Sequence, residues 1–319
     1  MTQPILITGG TGFIGSHTAV TLAEAGHEVL LINRNAAHVQ AINTHGLVMR
    51  GPQGERTVRA RAAVNAEGQS PVDLVIVLVK SFHTASAMQA ATQLVGPDTV
   101  VLSLQNGLGH EDILADIVGR SHVLAGKTYV GGVMLAPGRI IAGTAGKETL
   151  IGELDGRVSP RAQRIAGAFN QAGLATTVSD NIMGTMWDKL LINVATGALS
   201  SITRLTYGAL YKIAEVEATA LAAVQEAMCV AHASGVQLSY TDPKAPWLKA
   251  AAGLPDDFKT SMLQSLEKGS ITEIDFVNGA VVRWGAQLGV PTPVNQTLVA
   301  CMKGIERGLF PVSAMKEAA

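Results

Sequence analysis

The sequence predicts an α/β protein: an N-terminal doubly wound parallel sheet followed by a C-terminal all-helical domain. Three observations carry this expectation. A glycine-rich loop lies between the first apolar run and the first helical pattern, and short β-branched runs alternate with longer helical patterns to about residue 178. Beyond Ser179 the pattern is almost wholly helical. At 319 residues the chain has room for roughly two domains of ~150 residues. The expected boundary gives domains of residues 1–179 and 180–319.

Strands are expected at residues 4–8, 28–33, 72–79 and 99–103, with more near 122–152. The run from Asp73 to Val79 is apolar on both faces, as in a central strand covered by helices. Gly131, Gly132, Gly138, Gly143 and Gly146 punctuate a region expected to hold antiparallel strands and turns. In the helical half, breaks fall near residues 243–255 and at Gly289-Val290-Pro291-Thr292-Pro293, where proline removes backbone donors between the last two helices.

A net charge of -1 with scattered Lys and Arg leaves no basic field for nucleic acid or an anionic membrane. No apolar stretch approaches the ~18 residues of a membrane span, and Met1 runs into the apolar Ile5-Leu6-Ile7 without a charged leader. Cys229 and Cys301 lie in helical patterns without C-x-x-C spacing, so neither a zinc site nor a disulfide framework is expected. A reducing cytoplasm fits these features, and the apolar helical half is compatible with a homodimer.

Gly10, Thr11, Gly12, Phe13, Ile14 and Gly15 complete a G-x-G-x-x-G loop with a strand before it and a helix after it. Glycines there let the backbone reach a pyrophosphate at the helix N-terminus. The second strand ends in Ile32-Asn33-Arg34, so the carboxylate that would take the ribose 2′-hydroxyl of NAD is missing. Arg34 favours the 2′-phosphate of NADP(H) instead. The same run fits G-x-x-G-x-x-G, the short-chain dehydrogenase form, which needs Tyr-x-x-x-Lys on a helix. Tyr240 and Lys244 match that spacing, but Pro243 breaks the helical register between them. Lys80 and Asn106 follow the next two strands, at the sheet edge where open α/β folds place ligands.

Lys189 and Asn193 sit four apart in Trp187-Asp188-Lys189-Leu190-Leu191-Ile192-Asn193, on one face of a helix. Ser261 and Thr272-Glu273-Ile274-Asp275 are expected on another helical stretch. Reduction of a ketone builds negative charge on the carbonyl oxygen, so a cation or acid is needed there; Lys189 supplies both, and Glu273 can counter its charge or hold a hydroxyl. A lysine snorkelling from an apolar helix and a glutamate paired on a solvated face give the same pattern, and spacing alone favours that plainer reading.

Taken together, the glycine loop, Val79-Lys80, Leu104-Gln105-Asn106-Gly107, the Lys189 segment, Ser261-Met262-Leu263-Gln264, and Thr272 to Asp275 followed by Asn278-Gly279 resemble the ketopantoate reductase family over essentially the whole length. The resemblance implies a Rossmann-type domain holding NADPH, a helical domain, and a small 2-keto acid as substrate. It implies Lys189 as catalytic acid, Asn193, Ser261 and Asn106 as substrate ligands, Asn106 and Lys80 lining the cofactor and carboxylate side, and Gly132 at the cofactor. Glu273 would hold the substrate 4-hydroxyl and contact cofactor. Where the family commonly carries two further asparagines, this chain has Gly197 and Tyr207. Those departures leave room for a bulkier 2-oxo acid. A non-catalytic NADP sensor is a third expectation, against which Lys189 and Glu273 stand together.

Overall fold

A computed structural model describes residues 5–9, 13–51, 54–130, 132–142 and 147–310. The apolar runs of the N-terminal half form strands because their period-two side chains find helices on both sides. The strands are β1 (Ile5–Thr8), β2 (Val29–Ile32), β3 (Leu47–Gly51), β4 (Gly54–Val58), β5 (Arg61–Ala63), β6 (Val72–Val77), β7 (Val95–Ser103), β8 (Val123–Thr128), β9 (Gly132–Ala136), β10 (Arg139–Ala142), β11 (Thr149–Gly152) and β12 (Thr176–Val178). Between them run α1 (Phe13–Glu24), α2 (Ala36–His45), α3 (Thr84–Gln89), α4 (His110–Val118) and α5 (Pro160–Gln171).

The main sheet has the order β12-β11-β8-β7-β6-β1-β2-β5. Leu74 and Ile76 of β6 join the core on the α1 and α5 face, against Val20, Leu22, Ile165 and Phe169. Val75 and Val77 join the opposite core with Met88 of α3 and Leu114 of α4. Each such fully buried aliphatic contributes about 1.5–3 kcal/mol, which is why β6 tolerates no polar alternation.

The chain winds in opposite directions from β1, towards β2 and β5 on one side and β6, β7 and β8 on the other. The carboxyl ends of β1 and β6 lie at this reversal, the position at which open α/β sheets take ligands. Gly9 packs the β1 end against that of β6: its φ is +72°, and a Cβ would lie 2.7 Å from the Val79 nitrogen. Only glycine meets both conditions.

The structure corrects the expected strands in three respects. β11 pairs antiparallel with β8, so the sheet is not wholly parallel. A second sheet, ordered β4-β3-β10-β9, was not expected from the residues before position 60. Its inner face, Leu47, Met49 and Ile140, joins the core on the α1 side. Third, β7 begins at Val95 rather than 99, with a register shift against β6 between Val72 and Leu74.

The helical half comprises α6 (Ile182–Thr203), α7 (Tyr207–Leu210), α8 (Ala214–Ala233), α9 (Lys244–Ala251), α10 (Ser261–Glu267), α11 (Asn278–Leu288) and α12 (Pro293–Leu309). Gly289, left-handed at φ +70°, ends α11, and Pro293 opens α12. By contacts the chain divides into two compact units: Met1–Gln105 with His110–Ile182, and Asn106–Gly109 with Met183–Ala319. The short segment Asn106–Gly109 thus packs with the helical unit although it follows a strand of the sheet.

Candidate active site

Five of the residues picked from the sequence line one cavity of the helical unit. Asn106, Lys189, Asn193, Ser261 and Glu273 surround a volume of about 250 Å³ together with Thr196, Gly197, Tyr207, Leu254, Phe258, Thr260, Met262, Ser265 and Val277. The helix periodicity explains the first wall. Lys189, Asn193, Thr196 and Gly197 recur at the i, i+4, i+7, i+8 positions of α6, while Leu190, Leu191, Val194 and Ala195 are at most 1% exposed on its other side. Trp187 anchors that buried side edge-on to Trp284, with ring centroids 6.1 Å apart. Asp188, next to Lys189, turns elsewhere and accepts from the Ser239 backbone N–H at 3.1 Å.

Ser261 is set by a helix start. Thr260 Oγ1 accepts from the Leu263 N–H at 3.2 Å, capping α10 and placing Ser261 at its first position. Glu273 does not lie on an α-helix, contrary to expectation: it precedes a single 3₁₀ turn, Ile274–Phe276. The cause is Glu306, a buried α12 residue that draws in the preceding residue by accepting from the Thr272 N–H at 2.7 Å and its hydroxyl at 2.6 Å. A carboxylate held this way fixes the turn and, with it, the position of Glu273.

Asn106 reaches the same cavity through Gly107. The Leu108 N–H donates to the Phe276 carbonyl at 3.0 Å, so the Asn106–Gly109 segment lies directly on the turn that carries Glu273. Gly107 has φ +91°, and a Cβ there would collide with the Phe276 carbonyl oxygen. A side chain at 107 would therefore move Asn106 away from the pocket.

The cofactor candidates lie in the sheet unit. Gly10, Thr11 and Gly12 fall outside the described residues. Phe13 opens α1, Ile14 and Gly15 lie in its first turn, and Gly132 opens β9. After β2, Asn33 Oδ1 accepts from the Asn35 N–H at 2.7 Å, and Asn35 caps α2, so the position expected to hold a carboxylate in an NAD site belongs to the turn. Arg34 Nη2 lies 3.3 Å from His83 Nδ1. Burial first, and the Arg34 charge second, push the His83 pKa down, which keeps the imidazole neutral beside the guanidinium. This exposed cation beside the β2 end, together with the Gly9 close approach, fits a phosphorylated dinucleotide. Lys80 is exposed at the start of the turn after β6.

Two other features set limits. A larger open hollow of about 910 Å³ beside β5 is lined by Glu28, Arg59, Arg61 and neighbours, and holds none of the candidates. Among the described residues no cluster of His, Cys, Asp or Glu could hold a metal ion, and no helix is long and apolar enough to cross a membrane. Cys229 and Cys301 are free thiols on exposed positions. Tyr240 lies near Asp188 in a loop and Lys244 opens α9, so these two residues do not share a helix.

Comparison with known proteins decides the family. Residues 5–156 match the model described as ketopantoate reductase PanE/ApbA, and residues 181–306 match that of its C-terminal part. The chain belongs to the ketopantoate reductase family. Family relatives include 2-dehydropantoate 2-reductases of Halobacterium salinarum, 33% identical over 95% of this chain and 99% of theirs, and of Pyrococcus horikoshii, 32% identical over 93% and 96%. A ketopantoate reductase structure from Ralstonia eutropha JMP134 superposes with a TM-score of 0.87, at 34% identity over 96% of this chain and 99% of that one. A ternary structure of D-mandelate dehydrogenase with NADH and anilino(oxo)acetate superposes at 0.88, with 28% identity over 96% and 99%. This ketopantoate reductase family member is thus an oxidoreductase with a Rossmann-type sheet unit and a helical unit.

Sequence reasoning missed Thr196, Thr260, Phe258 and Met262 as pocket residues. Thr196 was open to detection, because it continues the Lys189 and Asn193 face of α6 by one turn. Phe258 lies between helices and carried no periodic signal.

Proposed function

We propose that the protein reduces a 2-keto acid with NADPH, and that 2-dehydropantoate, yielding pantoate, is its substrate in the route to pantothenate and coenzyme A. The observation that carries this reading is the convergence of Lys189, Asn193, Ser261, Asn106 and Glu273 on one cavity. NADPH, when bound, supplies the hydride that arrives at the carbonyl carbon. The chain supplies the rest. Lys189 Nζ hydrogen-bonds the carbonyl oxygen, stabilises the charge that grows there and releases a proton to the alkoxide. Asn193, one turn along α6, and Ser261, at the start of α10, hold the polar groups of the acid and limit its rotation. Glu273 accepts from a side-chain hydroxyl and contacts cofactor, and Asn106 lines the cofactor side. On the sheet unit the glycine loop takes the pyrophosphate, Arg34 takes the 2′-phosphate, and Lys80 offers a positive charge at the β6 end.

Likeness to a D-mandelate dehydrogenase supports a second reading, a paralogous reductase of a different, bulkier 2-oxo acid. Gly197 and Tyr207 in the pocket wall favour the same reading. Two free thiols accord with a reducing cytoplasm, and the apolar helical half with a homodimer. The test is Lys189→Ala: its kcat/KM with NADPH and 2-keto acids falls by about 10³-fold. Undiminished turnover would sink the proposal, and tight NADPH binding without turnover of any 2-keto acid by the unaltered protein would favour an NADP sensor instead.

A further inference from the structure

Beyond β6 the chain leaves the sheet, and the backbone acceptors that follow must find partners other than a neighbouring strand. The Leu78 N–H still donates to the Thr8 carbonyl at the β1 end, at 3.0 Å. After that a buried side chain takes over. Gln105, 7% exposed and two residues past β7, donates from Nε2 to the Val79 carbonyl and to Thr84 Oγ1, each at 2.9 Å. Thr84, fully buried at the first position of α3, donates in turn to the Ser81 carbonyl at 2.8 Å. The carbonyls on either side of Lys80 are thus held by one pair of side chains, and the Lys80 carbonyl itself accepts from the His83 N–H at 2.8 Å.

The pair is fully committed. An amide nitrogen carries two hydrogens, and Val79 and Thr84 take both. The Val79 carbonyl can only accept, so the amide is fixed with Nε2 towards the strand end. The one Thr84 hydroxyl proton goes to Ser81, so its oxygen accepts from Gln105 and, at 3.3 Å, from Nδ1 of the buried His110 that opens α4. The segments after β6 and β7 and the starts of α3 and α4 therefore meet at this amide and hydroxyl. Burying such a pair costs desolvation that two aliphatic side chains would not incur, and the residue it frames is no part of the core: Lys80 is exposed. The same strand end bears the close approach of Gly9, whose Cβ would lie 2.7 Å from the Val79 nitrogen. Lys80 is one residue from that contact, beside the start of the glycine loop.

We propose that Gln105 is a positioning residue for the dinucleotide: with Thr84 it fixes the backbone around Lys80 so that the Lys80 ammonium meets the anionic cofactor. The inference rests on the reading that the sheet unit holds NADPH. Leu104-Gln105-Asn106-Gly107 then has two duties, with Asn106 lining the pocket of the helical unit and Gln105 closing the sheet unit. Without the clamp, the turn after β6 samples more conformations, and cofactor binding has to order them at a cost in affinity.

The experiment is a double-mutant cycle read by titrating the full chain with NADPH and following nicotinamide fluorescence, with no keto acid present. Gln105→Met keeps the length of the side chain and removes its donors, and the NADPH dissociation constant should rise about tenfold. Lys80→Met should raise it by about the same factor, and adding Gln105→Met to Lys80→Met should raise it by less than about threefold further, because the clamp then has no ammonium to place. Thr84→Val removes the hydroxyl and should follow Gln105→Met. Thr84→Ser keeps the hydroxyl and should restore the affinity to within about threefold, and this pair decides the matter if Gln105→Met does not fold. Additive losses in the cycle, unchanged affinity in Gln105→Met or Lys80→Met, or equal losses in Thr84→Val and Thr84→Ser overturn this inference alone. No NADPH binding by the unaltered chain overturns the cofactor reading and this inference with it.

Discussion

Two groups of polar side chains interrupt the apolar residues of the helical unit, and they sit in different surroundings. In the first, Asn295 is fully buried and ties three elements together. Its side-chain N–H donates to Glu226 Oε2 at 2.7 Å and to the Ala223 carbonyl at 2.9 Å, and its Oδ1 accepts from Asn278 Nδ2 at 3.0 Å. Glu226 also accepts from the Val294 and Asn295 backbone N–H groups at 2.8 and 3.0 Å, so it caps the start of α12. The second group, Lys189, Asn193, Ser261, Asn106 and Glu273, lines an open cavity. In a linear sequence the two look alike, as polar residues among Leu, Val and Ala. The difference lies in where the side chains sit: packed between α8, α11 and α12 in one case, around a cavity of about 250 Å³ in the other. Asn278 shows the consequence, because it belongs to the motif that carries the family resemblance, yet in the fold its amide serves α12.

Substitutions should separate the two groups. After Lys189→Ala, the largest catalytic effect falls on Glu273→Gln, which keeps shape and removes charge: kcat/KM for 2-dehydropantoate drops by about 10²-fold while the urea midpoint stays within error. Asn295→Leu should do the reverse. It removes the amide's bonds to Glu226 and the Ala223 carbonyl and takes the acceptor from the buried Asn278 amide, costing about 3 kcal/mol in urea unfolding, and kcat per folded molecule stays near the original. Equal effects of both substitutions on stability and rate would erase the distinction.

A smaller effect comes from a third acid that neither borders the pocket nor caps a helix with its charge. Glu111, in the first turn of α4, is buried, and desolvation pushes its pKa up to about 7, with Asp112 adding to the rise. Its folded pKa lies above the unfolded value near 4.5, so the folded chain binds the proton more tightly. The stability this contributes is complete below about pH 4.5 and is lost as pH rises through about 7. Melting temperatures from pH 5 to 8 should therefore fall more steeply for the unaltered chain than for Glu111→Gln, by an amount on the order of 2 kcal/mol. Parallel curves for the two proteins would show that Glu111 is not held protonated.

Much of the sheet was legible because its signal is local. The β-branched runs of β1, β2, β6 and β7 stand out without any tertiary information, and the glycine loop follows the first of them. The second sheet was not legible, since β4 carries Glu55, Arg56 and Thr57 on exposed positions and only alternate residues of β3 are buried. The pocket was half legible. Lys189 and Asn193 declare a shared helix face by spacing alone. Glu273 and Asn106 join them only through Glu306, more than thirty residues away, and through the Gly107 contact with Phe276, neither of which leaves a periodic trace. Tyr207 sits on a four-residue helix whose place depends on Phe258 and Tyr211.

The most direct measurement is the loss of nicotinamide absorbance when the purified chain is mixed with 2-dehydropantoate and either NADPH or NADH. Rapid oxidation of NADPH, with NADH at least about tenfold poorer, is the predicted result, since Asn33 stands where an NAD site would hold a carboxylate and the exposed Arg34 follows it. Failure to oxidise NADPH with 2-dehydropantoate or with any other 2-keto acid would contradict the account.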